Sequence, residues 1–185
     1  MDAEDKARKM IEESNLPEGF PYQTIDEIRE GVKDKSLHIK APYNSDVLYK
    51  YGNKAEKYSH NFWLSIPFVI ILTSIVLAIC LGNYYLLFGV LLSLIGFFMS
   101  TPFLKIRGLL YIISFGLFIF FIIKSNLTGY ILSGSFLFSL WTTITARDIC
   151  SDTIKKISLS SLEAFNLFLR TSAIIVYDEV ADKFY

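Results

Sequence analysis

The feature that most constrains this chain is one continuous stretch of 85 residues that carries almost no charge. From Phe62 to Ala146 the only charged side chains are Lys105, Arg107 and Lys124, and the stretch contains no Asp or Glu. The 61 residues before it hold 10 basic and 12 acidic side chains, and the 39 residues after it hold 5 and 6. A soluble domain does not collect its uncharged residues into one block of this length. The pattern therefore predicts a membrane protein with several spans.

The uncharged stretch divides into four segments, each long enough to cross a bilayer. A helix needs about 20 apolar residues to cross about 30 Å of hydrocarbon. Turn-forming or charged residues separate the segments, and we expect spans at Phe62–Leu81, Tyr84–Phe103, Ile106–Ile123 and Leu127–Ala146. The sequence thus predicts an all-α membrane protein with a cytoplasmic N-terminal region (1–61), a four-helix transmembrane domain (62–146) and a cytoplasmic C-terminal region (147–185).

The orientation of the chain follows from the basic residues near the ends of the spans. With four spans, both termini lie on the same side of the membrane, and the other side carries only Lys124. The side of the termini carries seven basic residues, namely Lys54, Lys57, Lys105, Arg107, Arg147, Lys155 and Lys156. Because basic residues are enriched on the cytoplasmic side, both termini are predicted to be cytoplasmic.

The two terminal regions contain helix signals of their own. Thr24 and Glu27 match a capping box, which predicts a helix that begins at Ile25. Ser160 and Glu163 form a second capping box, followed by a run without Gly or Pro to Tyr185. Apolar residues recur in that run at steps of three and four, so we expect an amphipathic C-terminal helix of about six turns. Its apolar face is expected to pack on the N-terminal region or on another copy of the chain.

The residues that usually carry catalysis are missing from this sequence. His38 and His60 are the only histidines, and no cysteine or acidic cluster has the spacing of metal ligands around them. No phosphate-binding glycine loop or nucleophile elbow occurs. We therefore predict that the protein is not an enzyme and has no metal site and no cofactor. The span centres also contain no ionisable residue, which argues against ion-coupled transport.

Two of the predicted spans carry small residues at helical spacing. Such faces allow close helix packing with interhelical hydrogen bonds, whereas in an oligomer the hydroxyl face of the last span would line a weakly polar pore. The sequence leaves both alternatives open. The residues are Gly89, Ser93, Gly96 and Ser100 on the second span, and Ser135, Ser139 and Thr143 on the last span.

Basic and aromatic residues alternate just before the first span. Lysines neutralise phosphates and tyrosines stack on bases, so this patch is a candidate site for a nucleotide or a single-stranded nucleic acid. The alternative is a basic belt that contacts anionic lipid headgroups. The patch consists of Lys50, Tyr51, Lys54, Lys57, Tyr58 and His60.

The layout of a polar N-terminal region, four spans with very short outer loops and a cytoplasmic C-terminus resembles two kinds of small membrane protein. It resembles the membrane effectors of bacterial anti-phage systems, such as the channel protein of the Hailong system. That resemblance implies a bacterial inner membrane and an oligomeric channel controlled by a nucleic-acid ligand, with the patch from Lys50 to His60 in the ligand role. The layout also resembles the prenylated Rab acceptor proteins, from which this chain differs by its C-terminal helix.

Two functions therefore compete at the level of sequence. The first is a homo-oligomeric, ligand-controlled pore or ion channel, as in an anti-phage effector that depolarises the membrane. Four short spans without an intramembrane charge do not enclose a wet path in one subunit, so such a pore must form at a symmetry axis. The second is a non-conducting membrane scaffold or trafficking adaptor, whose cytoplasmic ends bind a partner. The expected partners of the chain are the lipid bilayer, a nucleotide or single-stranded nucleic-acid ligand and, in the case of the pore, further copies of the chain.

Overall fold

The computed structural model describes residues 16, 17, 19–99 and 107–185. Over these ranges the chain is mostly helical, and three short strands accompany the helices. In chain order the elements are α1 (Ile25–Lys33), β1 (Leu37–Lys40), α2 (Ser45–Tyr51), α3 (Lys54–Cys80), a 3-10 helix (Tyr84–Leu87), α4 (Phe88–Met99), α5 (Arg107–Ile123), α6 (Leu127–Ser158), α7 (Leu162–Arg170), β2 (Ile175–Asp178) and β3 (Lys183–Phe184).

The chain divides into two compact units. One combines the residues up to Lys57 with Ile149–Tyr185, and we call it the terminal unit. The other is Tyr58–Asp148, and we call it the central unit. The two terminal regions, which the sequence presents as separate, therefore belong to one folded unit.

The terminal unit begins with the helix that the first capping box predicts. The backbone N–H of Glu27 donates to Thr24 Oγ1 at 3.2 Å, and the Glu27 carboxylate accepts from the Thr24 N–H at 3.3 Å. These two bonds satisfy N–H groups that the first turn of a helix otherwise leaves open. Ile28 is fully buried one turn later and fixes α1 to the core. This prediction is confirmed.

Three antiparallel strands join the N-terminal and C-terminal parts of the terminal unit. They lie in the order β1-β2-β3, with Leu37 opposite Asp178 and Lys40 opposite Ile175. The inner face of the sheet contributes Leu37 and Val176 to the core. Because of this sheet, the predicted all-α class holds only as a coarse description. Further fully or nearly fully buried core side chains are Ile28, Leu48, Ile154, Phe165, Phe168 and Ile174.

The predicted amphipathic helix up to Tyr185 is wrong, because α7 ends at Arg170. Its N-cap is Ser161 rather than Ser160, and it runs for nine residues. Ser172 then adopts a positive φ of 54°, and the chain continues as β2. In β2, Ile175 is 41% exposed while Val176 is buried, which is the alternation of a strand. The backbone of β2 bonds to β1, a partner far away in sequence, and local spacing gives no sign of that pairing.

The helices of the central unit run antiparallel to their neighbours in sequence. Asn83 donates its side-chain amide to Thr128 Oγ1 at 2.8 Å, which joins the end of α3 to the start of α6. Phe118 of α5 packs on Phe138 of α6, with ring centroids 5.6 Å apart. The turn between α5 and α6 is closed by Asn126, whose Oδ1 accepts from the Gly129 N–H at 2.8 Å.

Two helices are long and apolar enough to cross a membrane, namely α3 with 27 residues and α6 with 32. Two shorter apolar helices, Tyr84–Phe98 and Gly108–Ile123, lie between them. Two of the four predicted spans therefore meet the length of a membrane-crossing helix within the described residues. The predicted boundary at Pro102 and Lys105 lies outside those residues.

Candidate functional site

The terminal unit contains a surface cleft between α2 and α7. The cleft has a volume of about 260 Å³ and combines apolar, hydroxyl, amide and charged side chains. One wall comes from the chain just before α3 and the other from the chain just after α6. The lining residues are Asn44, Asp46, Val47, Lys50, Tyr51, Leu167, Phe168 and Thr171.

Local sequence explains why α2 presents this face. Asn44 caps the helix, since its Oδ1 accepts from the Val47 N–H at 3.2 Å. Leu48 is fully buried and anchors α2 in the core. Val47, Lys50 and Tyr51 are three and four residues apart, so they share one side of the helix. That side faces the cleft.

The cleft places a cation beside an aromatic platform. The Lys50 Nζ lies 5.1 Å from the centroid of the Tyr51 ring, within the range of a cation–π contact. The Tyr51 ring in turn rests on Phe168 at 5.3 Å and is still 39% exposed. A supported ring stacks on a planar ligand, and the ammonium group attracts a phosphate. Asp46 and Thr171 also line the cleft, and their side-chain oxygens are hydrogen-bond acceptors.

The structure separates the members of the predicted basic and aromatic patch. Lys50 and Tyr51 line the cleft, whereas Lys54 and Lys57 lie in the first turn of α3. Tyr58 belongs to the central unit and is 75% exposed. His60 also belongs to the central unit and is fully buried, so it does not contribute to an exposed patch.

Sequence reasoning missed the second wall of the cleft. Leu167, Phe168 and Thr171 lie more than 100 residues after Lys50, in a segment that we expected to continue as a helix. The one local signal was Asn44, a helix-capping residue placed before an apolar and aromatic turn.

A row of aromatic rings crosses the outer face of the sheet. His38 stands opposite Tyr177 with ring centroids 6.1 Å apart, and Tyr177 stands opposite Phe184 at 4.7 Å. The Tyr177 hydroxyl donates to Asp182 at 2.8 Å, and this bond is the main reason why the pKa of Tyr177 is raised. Phe184 remains 65% exposed. This second surface brings together residues from both ends of the chain, and no sequence motif indicates it.

The two stripes of small residues meet inside the central unit. The Ser93 hydroxyl is hydrogen-bonded to that of Ser139 and lies 3.2 Å from the carbonyl oxygen of Pro67, to which it donates. Gly89 leaves room for Ser74, because an added Cβ would lie 2.7 Å from the Ser74 Oγ. The face of α4 that carries the small residues thus packs against α3 and α6, as small residues do in helix bundles.

The hydroxyl stripe of α6 is buried within a single chain. Ser135 is 5% exposed, Ser139 0% and Thr143 1%. Ser139 and its neighbours also contact Gly96, where an added Cβ would lie 2.7 Å from the Phe136 carbonyl oxygen. These contacts correspond to the packing alternative for both stripes. Ser100 lies outside the described residues.

Among the residues that the structure describes, no group of three or more His, Cys, Asp or Glu side chains is placed to hold a metal ion. The chain matches no protein-family model, no curated protein and no solved structure. The function must therefore be argued from the geometry of the chain itself.

Proposed function

We propose that the chain is an integral membrane protein whose terminal unit binds an anionic ligand with a planar ring. The central unit exposes long runs of large apolar side chains, which hydrocarbon accommodates and water does not. Examples from three helices are Leu72 at 63% exposure, Phe98 at 67% and Ile112 at 69%. Four antiparallel helices in one unit fit four spans.

The pairing of β1 with β2 supports an even number of membrane crossings. Residues before α3 and residues after α6 share one sheet, so they lie in the same compartment. A chain that leaves and re-enters one compartment crosses the membrane two or four times. Together with the seven basic residues near span ends on that side, this supports cytoplasmic termini, in a bacterial inner membrane as the layout implies.

The ligand that best fits the cleft is a nucleotide or a short single-stranded nucleic acid. The observation that carries this proposal is Lys50 beside a partly exposed Tyr51 ring that packs against Phe168. Stacking on an aromatic side chain contributes about 1–3 kcal/mol per base. A cleft of about 260 Å³ accommodates one nucleotide rather than several, so a longer strand would continue along Lys54 at the start of α3.

Fluorescence anisotropy with a labelled short single-stranded oligonucleotide tests the ligand proposal. We expect Tyr51→Leu to weaken binding about tenfold, which corresponds to about 1.4 kcal/mol. Tyr49→Leu is the matched control, because Tyr49 is 43% exposed on the same helix but does not line the cleft. Equal affinities for the two variants, or no binding by the wild type at low salt, would refute the proposal.

Between an adaptor and a pore, the packing of the central unit favours a non-conducting adaptor. A pore wall needs polar groups on the surface that faces the axis, whereas the serines of α4 and α6 contact each other inside one chain. In this proposal the ligand changes the surface of the terminal unit that a partner recognises. The adaptor function requires no oligomer.

A homo-oligomeric, ligand-controlled pore is the second candidate, and one observation favours it. None of the described residues lies within 4 Å of a Cβ built on Gly108 or Gly116 of α5, so a helix from another copy has room to approach this face closely. An oligomer built through α5 would place an apolar path at its axis, which opens and closes by wetting. As an anti-phage effector, such a pore would depolarise the membrane when its ligand changes.

Ion flux into liposomes separates the two outputs. The adaptor proposal predicts no flux with or without oligonucleotide, and a monomeric mass in detergent. The pore proposal predicts ligand-dependent flux and an oligomer that Gly116→Leu dissociates. Ser139→Leu serves as the contrast: it should destabilise the fold of the chain, since Ser139 contacts α4. If the Ser139→Leu protein instead folds stably and still conducts ions, but with an altered conductance, Ser139 belongs to a pore wall.

A further inference from the structure

The central unit contains a groove whose lining includes Ser74 and Ser135, the two serines next to Gly89 of α4. It has a volume of about 290 Å³ and lies between α3, α5 and α6. Gly134 allows the Phe118 ring to close one side, since an added Cβ would lie 3.1 Å from that ring. Its lining includes Val69, Thr73, Ser74, Tyr130, Ser135 and Phe138.

The serine and threonine hydroxyls in the groove are already satisfied by their own helices. Thr73 Oγ1 donates to the Val69 carbonyl at 2.8 Å, Ser74 Oγ to Ile70 at 2.9 Å and Ser135 Oγ to Ile131 at 2.8 Å. Each hydroxyl hydrogen is therefore engaged inside the protein. Apart from the Tyr130 hydroxyl the remaining lining is apolar, so the groove suits a hydrocarbon chain and offers little to a polar ligand.

The two ends of the groove differ in polarity. Tyr130 lies at the end where α6 begins, next to the turn that contains Lys124 and Asn126. Lys124 is exposed and is the one basic residue predicted on that side of the membrane. From Tyr130 to Phe138 the groove follows eight residues of helix, which is about 12 Å. A phosphate near Lys124 matches this arrangement in charge, and the part of an acyl chain nearest the headgroup fits the apolar groove along α6.

We propose that the groove between α3, α5 and α6 binds one acyl chain of a phospholipid, with the phosphate on the Lys124 side. This inference rests on the proposed insertion of the central unit into a membrane. A lipid held there fills the space between α3 and α5 and stabilises the bundle.

Native mass spectrometry of the full chain in detergent, titrated with palmitoyl-oleoyl-phosphatidylglycerol, tests the site. Thr73→Phe fills the groove from an exposed position, and we expect it to weaken retention of the lipid at least tenfold. Leu72→Phe is the matched control, since Leu72 is 63% exposed and does not line the groove. It should stay within twofold of the wild type, and Lys124→Gln should lie between the two. Val69→Phe, a second groove-filling variant at a position 59% exposed, should repeat the effect of Thr73→Phe.

Each other outcome overturns the proposal. Equal lipid retention by Thr73→Phe, Val69→Phe and Leu72→Phe excludes the groove as the site. A lipid-free dimer that both groove-filling variants dissociate shows that a second copy of the chain occupies it. Extraction of membranes with alkaline carbonate tests the insertion of the chain into a membrane separately from the lipid site. Release of the wild type into the supernatant refutes membrane insertion and the lipid site together, whereas a retained protein without a groove-dependent lipid refutes the lipid site alone.

Discussion

His38 on β1 lies 3.1 Å from the carboxylate of Glu179, although 141 positions separate the two residues in the sequence. The contact extends the pairing of β1 with β2 beyond the last residue of β2. Between these two residues the chain passes through every apolar helix of the central unit. A single short sheet therefore determines that the two ends of the chain share one compartment, however many spans lie between them.

This arrangement predicts the labelling pattern of introduced cysteines. In a Cys80→Ala background, Asp26→Cys and Val180→Cys should give the same result with a membrane-impermeant maleimide. Both should be protected from the reagent in intact cells and labelled after the membrane is opened. Lys124→Cys should react in intact cells, because the proposed topology places it on the opposite side. Native Cys150 is no reporter, since it is fully buried. Labelling of only one of Asp26→Cys and Val180→Cys in intact cells would contradict the shared compartment.

The packing of α4 predicts different effects for two glycine-to-alanine changes. Gly96→Ala introduces a methyl group 2.7 Å from the Phe136 carbonyl oxygen. Overpacking of this kind lowers the free energy of unfolding by about 1–3 kcal/mol. Gly116→Ala meets nothing within 4 Å and should leave stability unchanged or raise it by up to about 1 kcal/mol. Thermal unfolding in detergent measures both, and equal melting temperatures would mean that α4 does not pack as described.

Neighbouring residues of β2 predict a sharp contrast in the terminal unit. Val176→Asp places a carboxylate in the core at a fully buried position, which should cost at least about 3 kcal/mol. Ile175→Asp changes a residue that is 41% exposed on the other face of the sheet. We expect protease digestion to remove the terminal unit of the first variant and to spare the second. Similar protection of both would show that the chain after Arg170 does not form this strand.

The hydrogen bond between Tyr177 and Asp182 predicts a specific titration. The bond to the carboxylate stabilises the protonated phenol, so the pKa of Tyr177 lies above its ordinary value of 10.0. Since the pKa is raised in the folded state, the stabilisation is present below pH 10 and disappears as the pH rises through the higher pKa. Asp182→Asn should lower this pKa.

Carbon NMR of the Tyr Cζ signals between pH 8 and pH 12 measures that pKa. Glu179→Gln is the control: Glu179 contributes a smaller, purely coulombic effect on the same phenol. The Asp182 variant should therefore shift the Tyr177 titration more than the Glu179 variant does. An unchanged pKa in both variants would mean that the hydrogen bond is not formed in solution.

The pattern of apolar residues was sufficient to predict part of this fold from the sequence. The block from Phe62 to Ala146 predicted apolar helices, and α3, α5 and α6 end or begin within a few residues of the expected breaks at Leu81, Ile123 and Leu127. The capping box of Thr24 and Glu27 was equally readable. In both cases the physical signal is local, because a helix satisfies its backbone within four residues of chain.

The sheet, the cleft and the facing of the serine stripes were decided only by tertiary structure. A strand obtains its hydrogen bonds from another strand, and β2 finds its partner in β1 at the other end of the chain. The apolar spacing after Arg170 fitted a helix equally well, and only that partner excludes it. Likewise, the spacing of Ser135, Ser139 and Thr143 fixes which residues share a face, while the burial of that face depends on α4 packing against it. Local sequence sets periodicity, and the partner that a periodic face meets is a property of the whole fold.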